Sequence, residues 1–216
     1  MKKNALLILS IIFLSFIEIS AQNETISLNN KWFFGVEIGG NHIASFDLDE
    51  SKNSIQVGLL AEYYFTRKWS LTSKIKYYKT GVSFHQSGSS GLFGSNTHSG
   101  TFKGSVISIP VFAKWEFRVY RELKGNFKLG YAFNKEIKSQ YSNYSNNLNT
   151  EDYSSQYGGL VVSYGFNYLN AESAIYLDFE GYSGAEKGRT SSLVSNGKIV
   201  TTNYLISLGY KYSFKN

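Results

Sequence analysis

Along most of this chain, side chains of opposite character alternate residue by residue, and one of the two faces so made carries no charge. In the first such segment Trp32, Phe34, Val36 and Ile38 alternate with Phe33, Gly35, Glu37 and Gly39. Residues 55–65, 69–77, 107–117, 127–133, 160–168, 175–179 and 204–214 repeat the scheme. A period of two is the strand period. On the first face only Gly40 and Ser73 are neither apolar nor aromatic. The opposite face carries Glu37, Glu62, Lys74, Lys76, Lys114, Glu116, Arg118, Lys128, Asp178, Glu180 and Lys211. A charge-free face maintained over eight segments is a sheet signal, and it must lie against a core or against lipid.

Three further features place lipid on that face. The connections alternate in length: 44–54, 85–104, 135–156 and 183–200 are long, whereas 66–68, 119–125 and 170–173 are short. An up-and-down membrane barrel has this rhythm, with short periplasmic turns and long external loops. Trp32, Trp69 and Trp115 all fall at the short-turn end, and Tyr77, Phe133 and Phe179 fall toward the other. Aromatic rings at two levels suit the two interfaces of a bilayer. Strands of about ten to twelve residues, tilted by about 40°, also span roughly the apolar band of such a barrel. Backbone groups in lipid must all be paired internally, which only a closed sheet achieves with strands. The expected fold is therefore all-β: an eight-stranded antiparallel up-and-down transmembrane β-barrel with both termini periplasmic. A soluble lipocalin-like barrel, which would line a ligand cavity with the apolar face, is the alternative. Pro110 lacks a ladder donor and is expected at a bulge or beside a water-satisfied carbonyl.

Residues 1–21 read as a secretory signal peptide. Lys2 and Lys3 precede a short apolar run, and Ser20-Ala21 offers a cleavage point. The run is too short to span a bilayer as a helix. Residues 22–216 then form one outer-membrane barrel domain. The chain has no Cys, which excludes disulfides, thiolate metal sites and a lipid-anchored cysteine. Its formal charge of +6 is spread along the chain, so no nucleic-acid footprint is expected.

The stretch Ile107-Ser108-Ile109-Pro110-Val111-Phe112-Ala113-Lys114-Trp115 resembles a strand of the PorT-like outer-membrane β-barrel domain family. Residues 69–81 are similar to the strand after that family's first turn. The C-terminal Leu208-Gly209-Tyr210-Lys211-Tyr212-Ser213-Phe214 resembles the last-strand signal read by the outer-membrane assembly machinery, although Lys215 and Asn216 follow it. The resemblance implies an outer-membrane location in a Gram-negative cell and implies no activity.

The interior charges admit two readings, an ion-selective pore or a salt-bridged plug. Eight strands enclose little more than side chains, and mixed signs pair where a filter would show one sign. A plug is therefore expected. His42, with Ser45 and Asp47, stands where a rim enzyme would place its residues, but no spacing fixes a nucleophile–base pair. His85 and His98 lack metal-ligand spacing. Neither cofactor nor metal is expected, and the chain is read as a non-enzyme. Residues 135–156 are rich in Tyr, Ser and Asn, the composition of adaptable binding surfaces. Tyr141, Tyr144 and Tyr153 are the candidate recognition residues for an unknown extracellular ligand. The functional expectation is a structural or surface-recognition barrel, with small-solute transport or a rim enzyme as alternatives.

Overall fold

The computed structural model describes residues 28–45, 51–89, 95–143, 149–153, 156–169, 172–185 and 200–214. The segment 1–21 and the centres of the four long connections lie outside them. Regular structure among the described residues is entirely β: β1 (Lys31–Ser45), β2 (Lys52–Tyr64), β3 (Trp69–Ser89), β4 (Ser95–Tyr120), β5 (Leu123–Asn143), β6 (Asn149–Tyr153), β7 (Gln156–Leu169), β8 (Ser173–Ala185) and β9 (Val200–Tyr212).

Neighbours in the sheet run β4-β3-β2-β1-β9-β8-β7-β5, and β4 also pairs with β5, so the sheet closes on itself. β1, the first strand, pairs with both β2 and the last strand β9, with Phe33 opposite Glu62 of β2 and Glu37 opposite Gly209 of β9. The short β6 pairs with the upper end of β5, above the point where β5 leaves β7. The wall is thus an eight-stranded antiparallel barrel, as the alternation predicts. Closure removes the edges of the eight-stranded wall, and with them the unpaired backbone groups that lipid would not tolerate.

Inside and outside follow the alternation. Val36, Ile38, Ile55, Leu59, Leu129, Leu160, Ile206 and Leu208 are exposed on the outer surface, Ile55 by 73% and Leu160 by 63%. Glu37, Glu62, Lys74, Lys76, Lys114, Asp178 and Lys211 are buried inside. A soluble barrel would reverse this arrangement, so the lipocalin-like alternative is overturned by the apolar exterior and the charged, filled interior.

Trp32 stacks on Phe34 and leans on Tyr63, with ring centroids 5.9 and 4.9 Å apart. Trp115 packs against Phe117 and Phe127, and Phe34 and Tyr212 against Phe214. These rings form a belt at the short-turn end, where β1 begins and β9 ends.

The connections depart from expectation in a consistent way. Between β4 and β5 only Arg121 and Glu122 remain outside the ladder, because Tyr120 pairs with Leu123. Arg121 adopts a left-handed conformation (φ 48°) to make that turn. Much of 85–104, expected as a loop, is a hairpin: the β3–β4 ladder runs unbroken from Lys76 opposite Ser108 to Ser89 opposite Ser95. Likewise part of 135–156 is the β5–β6 hairpin, with Asn143 opposite Asn149. Ser, Gly, Thr and Asn erase the apolar alternation there, but each backbone N–H and C=O still needs a partner, and the facing strand supplies it.

Pro110 needs no bulge. It pairs in register with Ala132 of β5, while the β3–β4 ladder skips from Ser73 opposite Val111 to Lys76 opposite Ser108 without changing register. The missing donor is absorbed by this local lapse on the β3 side. The bulges lie elsewhere on β4, between Lys103 and Ser105 and between Arg118 and Tyr120.

Candidate functional site in the barrel interior and at the rim

Two charge clusters fill the barrel. Nearer the short turns, Glu62 of β2 receives Lys114 of β4 at 2.8 Å and Lys211 of β9 at 2.6 Å, one lysine on each carboxylate oxygen. Lys114 also reaches Glu116 Oε1 at 2.5 Å. The Tyr64 hydroxyl donates to the same Glu116 oxygen at 2.7 Å and accepts from both lysines, at 3.2 and 3.1 Å. Asn167 Nδ2 donates to Glu116, and Ser70 Oγ donates to Glu62 at 2.6 Å. Lys124 approaches Glu116 Oε2 at 4.0 Å. Leu28, Phe33, Tyr64, Leu169 and Ala174 form an apolar seal at this end.

The second cluster is centred on Lys74 of β3. Its ammonium lies 2.8 Å from Glu37, 2.8 Å from Asp178 and 2.6 Å from Glu180. Lys76 bridges Glu37 at 3.0 Å and Glu180 at 2.6 Å, and Lys128 of β5 pairs with Asp178. The Tyr176 hydroxyl donates to Glu37 at 3.0 Å and the Tyr182 hydroxyl to Glu180 at 2.8 Å. Gln56 Nε2 donates to Glu37 and to Ser207 Oγ. Phe112, Ala132, Val161, Tyr182 and Leu205 pack together as a second apolar cluster inside the barrel.

Oxygens of Glu37, Asp178 and Glu180 lie within 4.8 Å of one another, a spacing that could hold a metal ion. The Lys74 ammonium contacts all three carboxylates and so serves as their cation. The cluster is self-neutralised, with three lysines facing three carboxylates. Side chains of Lys74 and Lys76 are 0% exposed, so no water-sized space touches them. That favours the plug over the pore, since a conducting path would wet its charged lining.

Arg118 is not buried with the other interior charges but half-buried. It lies at the β4–β5 turn, where its Nε donates to the Arg121 carbonyl at 3.2 Å in an exposed position. On β4 the series of buried inward residues ends at Glu116, before the bulge between Arg118 and Tyr120. The ten other interior residues predicted from the sequence lie inside as expected.

Sequence reasoning missed Lys124, Glu136 and Gln56, all buried, and the tyrosines that complete the carboxylate shells. Tyr64, Tyr78, Tyr176 and Tyr182 sit on the charged face, and that placement was the available signal. Glu136 and Lys124 lie just beyond the ends of the recognised segment.

At the long-loop rim, His42 Nδ1 lies 2.7 Å from Asn53 Oδ1, which accounts for one ring nitrogen with a structural bond. Asp47 is outside the described residues, so the rim trio is not assembled. His98 is opposite Gln86 and His85 opposite Ser99 on the β3–β4 hairpin backbone. Tyr141 and Tyr153 lie on the paired backbones of β5 and β6, and Tyr144 is outside the described residues.

Among solved structures, the chain is similar to Neisserial surface protein A, with a TM-score of 0.54 and 14% identity over 85% of this chain and 97% of that one. OprG of Pseudomonas aeruginosa is similar with a TM-score of 0.48 and 13% identity, over 89% of this chain and all of that one. Ail of Yersinia pestis, the attachment invasion locus protein, gives 0.46 and 13%, over 85% and 99%. No curated protein matches the sequence. A family model described as the outer membrane protein beta-barrel domain matches residues 20–216. With its closed sheet, apolar exterior and charged core, the chain belongs to the outer membrane protein beta-barrel domain family.

Proposed function

We propose that this outer-membrane protein is a non-conducting barrel whose interior is a structural plug and whose extended hairpins are surface-recognition elements. One observation carries the reading: the interior charges are paired with one another, through ion pairs of 2.5–3.0 Å between side chains no more than 2% exposed, while two strand pairs rise past the ladder of the remaining wall. A barrel built to conduct would leave its interior charges to solvent and solute. A barrel built as a platform fills its core and extends its rim, because recognition residues are best held on a rigid scaffold. In this reading the long-loop end faces outward and both termini are periplasmic, with the last strand engaging the assembly machinery during insertion. The stretch from Ile107 to Trp115 supports a placement of the chain within the PorT-like branch.

Planar-bilayer recording tests the plug. The refolded protein is expected to give no stable steps, and a reproducible open-channel current would establish transport instead. Glycan and matrix-protein arrays probed with the detergent-solubilised protein test recognition. Binding that survives replacement of residues 85–99 and 139–153 by short turns, in a protein that remains folded, would remove the hairpins from the role proposed for them.

A further inference from the structure

The lysines of the outer surface behave differently from those inside. Lys79 of β3, Lys103 of β4 and Lys135 of β5 are exposed near the long-loop end. The register groups them: Lys79 is opposite Ser105, Lys103 opposite Gly81, and Lys135 opposite Ile107. All three fall on the outward alternation with Tyr77, Ile107 and Phe133, and the Tyr77 hydroxyl donates to Ser105 Oγ at 3.0 Å on that same face. Lys52, at the start of β2, lies close enough that Lys103 and Lys79, after burial itself, push its ammonium below the usual lysine range. Among the described side chains no carboxylate faces outward at this level, and none of these lysines makes an ion pair.

Beside Lys135 the wall is grooved. β5 changes partner here: its pairing with β7 ends at Lys135 opposite Gln156, and its pairing with β6 begins at Ser139 opposite Tyr153. The β4–β5 register slips by one residue between Lys103 and Ser105. A cavity of about 620 Å³ results, lined by Ile107, Ile109, Tyr131 and Phe133, with Lys135 at its edge. Gly158 lets the Tyr131 ring lie against β7, since a Cβ there would fall 2.2 Å from the Tyr131 hydroxyl. The volume lies within the range of ordinary small-molecule sites.

We propose that this groove and its lysines form a binding site for an anionic, phosphate-bearing membrane lipid in the leaflet at the long-loop end. One acyl chain fills the apolar groove, and the headgroup phosphate lies among Lys79, Lys103 and Lys135. The occupant follows from position and charge. A groove on the lipid-facing wall is filled by hydrocarbon, and the ammoniums of Lys135 at its edge and of Lys79 and Lys103 on the adjoining strands, which make no ion pair among the described residues, select a headgroup of opposite sign. Basic residues at a membrane surface attract anionic lipid individually; here three adjacent strands hold them in one place. The inference rests on the outer-membrane location and is independent of the recognition role proposed for the hairpins.

The test is lipid retention by native mass spectrometry of the detergent-solubilised, folded protein. Dioleoyl phosphatidic acid is the probe, dioleoyl phosphatidylcholine the comparator with identical chains, and inorganic phosphate the competitor. The wild type is expected to retain phosphatidic acid at least about tenfold more strongly than phosphatidylcholine, and inorganic phosphate at equal concentration should not displace it. Lys79→Gln, Lys103→Gln and Lys135→Gln are each expected to weaken retention about fivefold, and the triple variant more. Lys68→Gln, at the opposite end, should change nothing. Equal retention of the two lipids, or undiminished retention in the triple variant, overturns the proposal. So does displacement by inorganic phosphate, which would mark a simple anion site. The single variants decide the matter should the triple variant not fold.

Discussion

The inner and outer faces of this barrel are made by the same strands, one residue apart, yet they treat charge in opposite ways. On β3, Lys74 and Lys76 point inward into contact with Glu37, Asp178 and Glu180, while Ile75 between them is 53% exposed on the outside. Inside, water is excluded and each ammonium is matched by a carboxylate. Outside, the wall carries no charge until the rim, where lysines appear without described carboxylate partners. The solvent of each face decides which residues it tolerates: lipid permits no charge, whereas a closed protein interior permits charge that is fully partnered.

The largest test of this contrast is Lys74→Met. It leaves three carboxylates facing one another with Lys76 and Lys128 only partly compensating. Removing one partner of a buried ionic network costs about 3–5 kcal/mol. The variant is expected to lose its heat-modifiable folded band at a much lower urea concentration than wild type. Unchanged urea resistance would mean that the interior is wetter than its geometry implies. The double variant Lys74→Met with Glu180→Met should recover part of the loss, since it removes a charge of each sign.

Ile75→Lys places the same residue type one position away and one face over. A lysine near the bilayer midplane of a barrel costs about 2–4 kcal/mol. Refolding into vesicles against urea is the measurement. A cost near zero would put Ile75 outside the apolar band and undo the inside–outside assignment on β3.

Gly209→Val probes how tightly the interior is packed. A Cβ at this position would fall 2.2 Å from the Tyr176 ring, whose hydroxyl holds Glu37. Overpacking of this kind costs about 1–3 kcal/mol. Gly209→Ala should show a smaller loss, and Tyr176→Phe should remove the hydrogen bond without the clash. A variant as stable as wild type would show that the tyrosine moves freely within the barrel.

The alternation made the barrel legible because lipid forbids charge so strongly. Over the lipid-facing stretches of the strands, every outward position reports its surroundings through residue type alone. Where lipid ends, that constraint ends as well. The β3–β4 hairpin could not be read from Gln86-Ser87-Gly88-Ser89 or Ser95-Asn96-Thr97, since backbone pairing leaves no mark on polar side chains. Interior partners were legible as charges but not as pairs. Nothing in the spacing of Lys74 and Asp178, 104 residues apart, announces that they meet across the barrel. The tyrosines were obscured for a different reason: an aromatic ring counts as apolar in an alternation, while its hydroxyl behaves as a donor to a buried carboxylate.

Arg118 is where the alternation and the structure part, and it supplies the mildest test. Parity places it on the inner face with Lys114 and Glu116, but at the last pair before the bulge, opposite Lys124, it is only half-buried, and its Nε donates to the Arg121 carbonyl across the turn. Because the inner face excludes water only within the barrel, a charge at this position costs little to hold and little to remove. Arg118→Gln is expected to change stability by no more than about 1 kcal/mol, because pairing of a charge that solvent reaches is worth little. Lys114→Gln, four residues earlier on the same strand, should lose several times as much, because it leaves Glu62 and Glu116 with fewer cations. Urea midpoints of the two variants measured side by side give the comparison directly. If Arg118→Gln proves as damaging as Lys114→Gln, the charged interior extends to the turn, and the apolar seal around Leu28 and Phe33 is not the boundary it is taken to be.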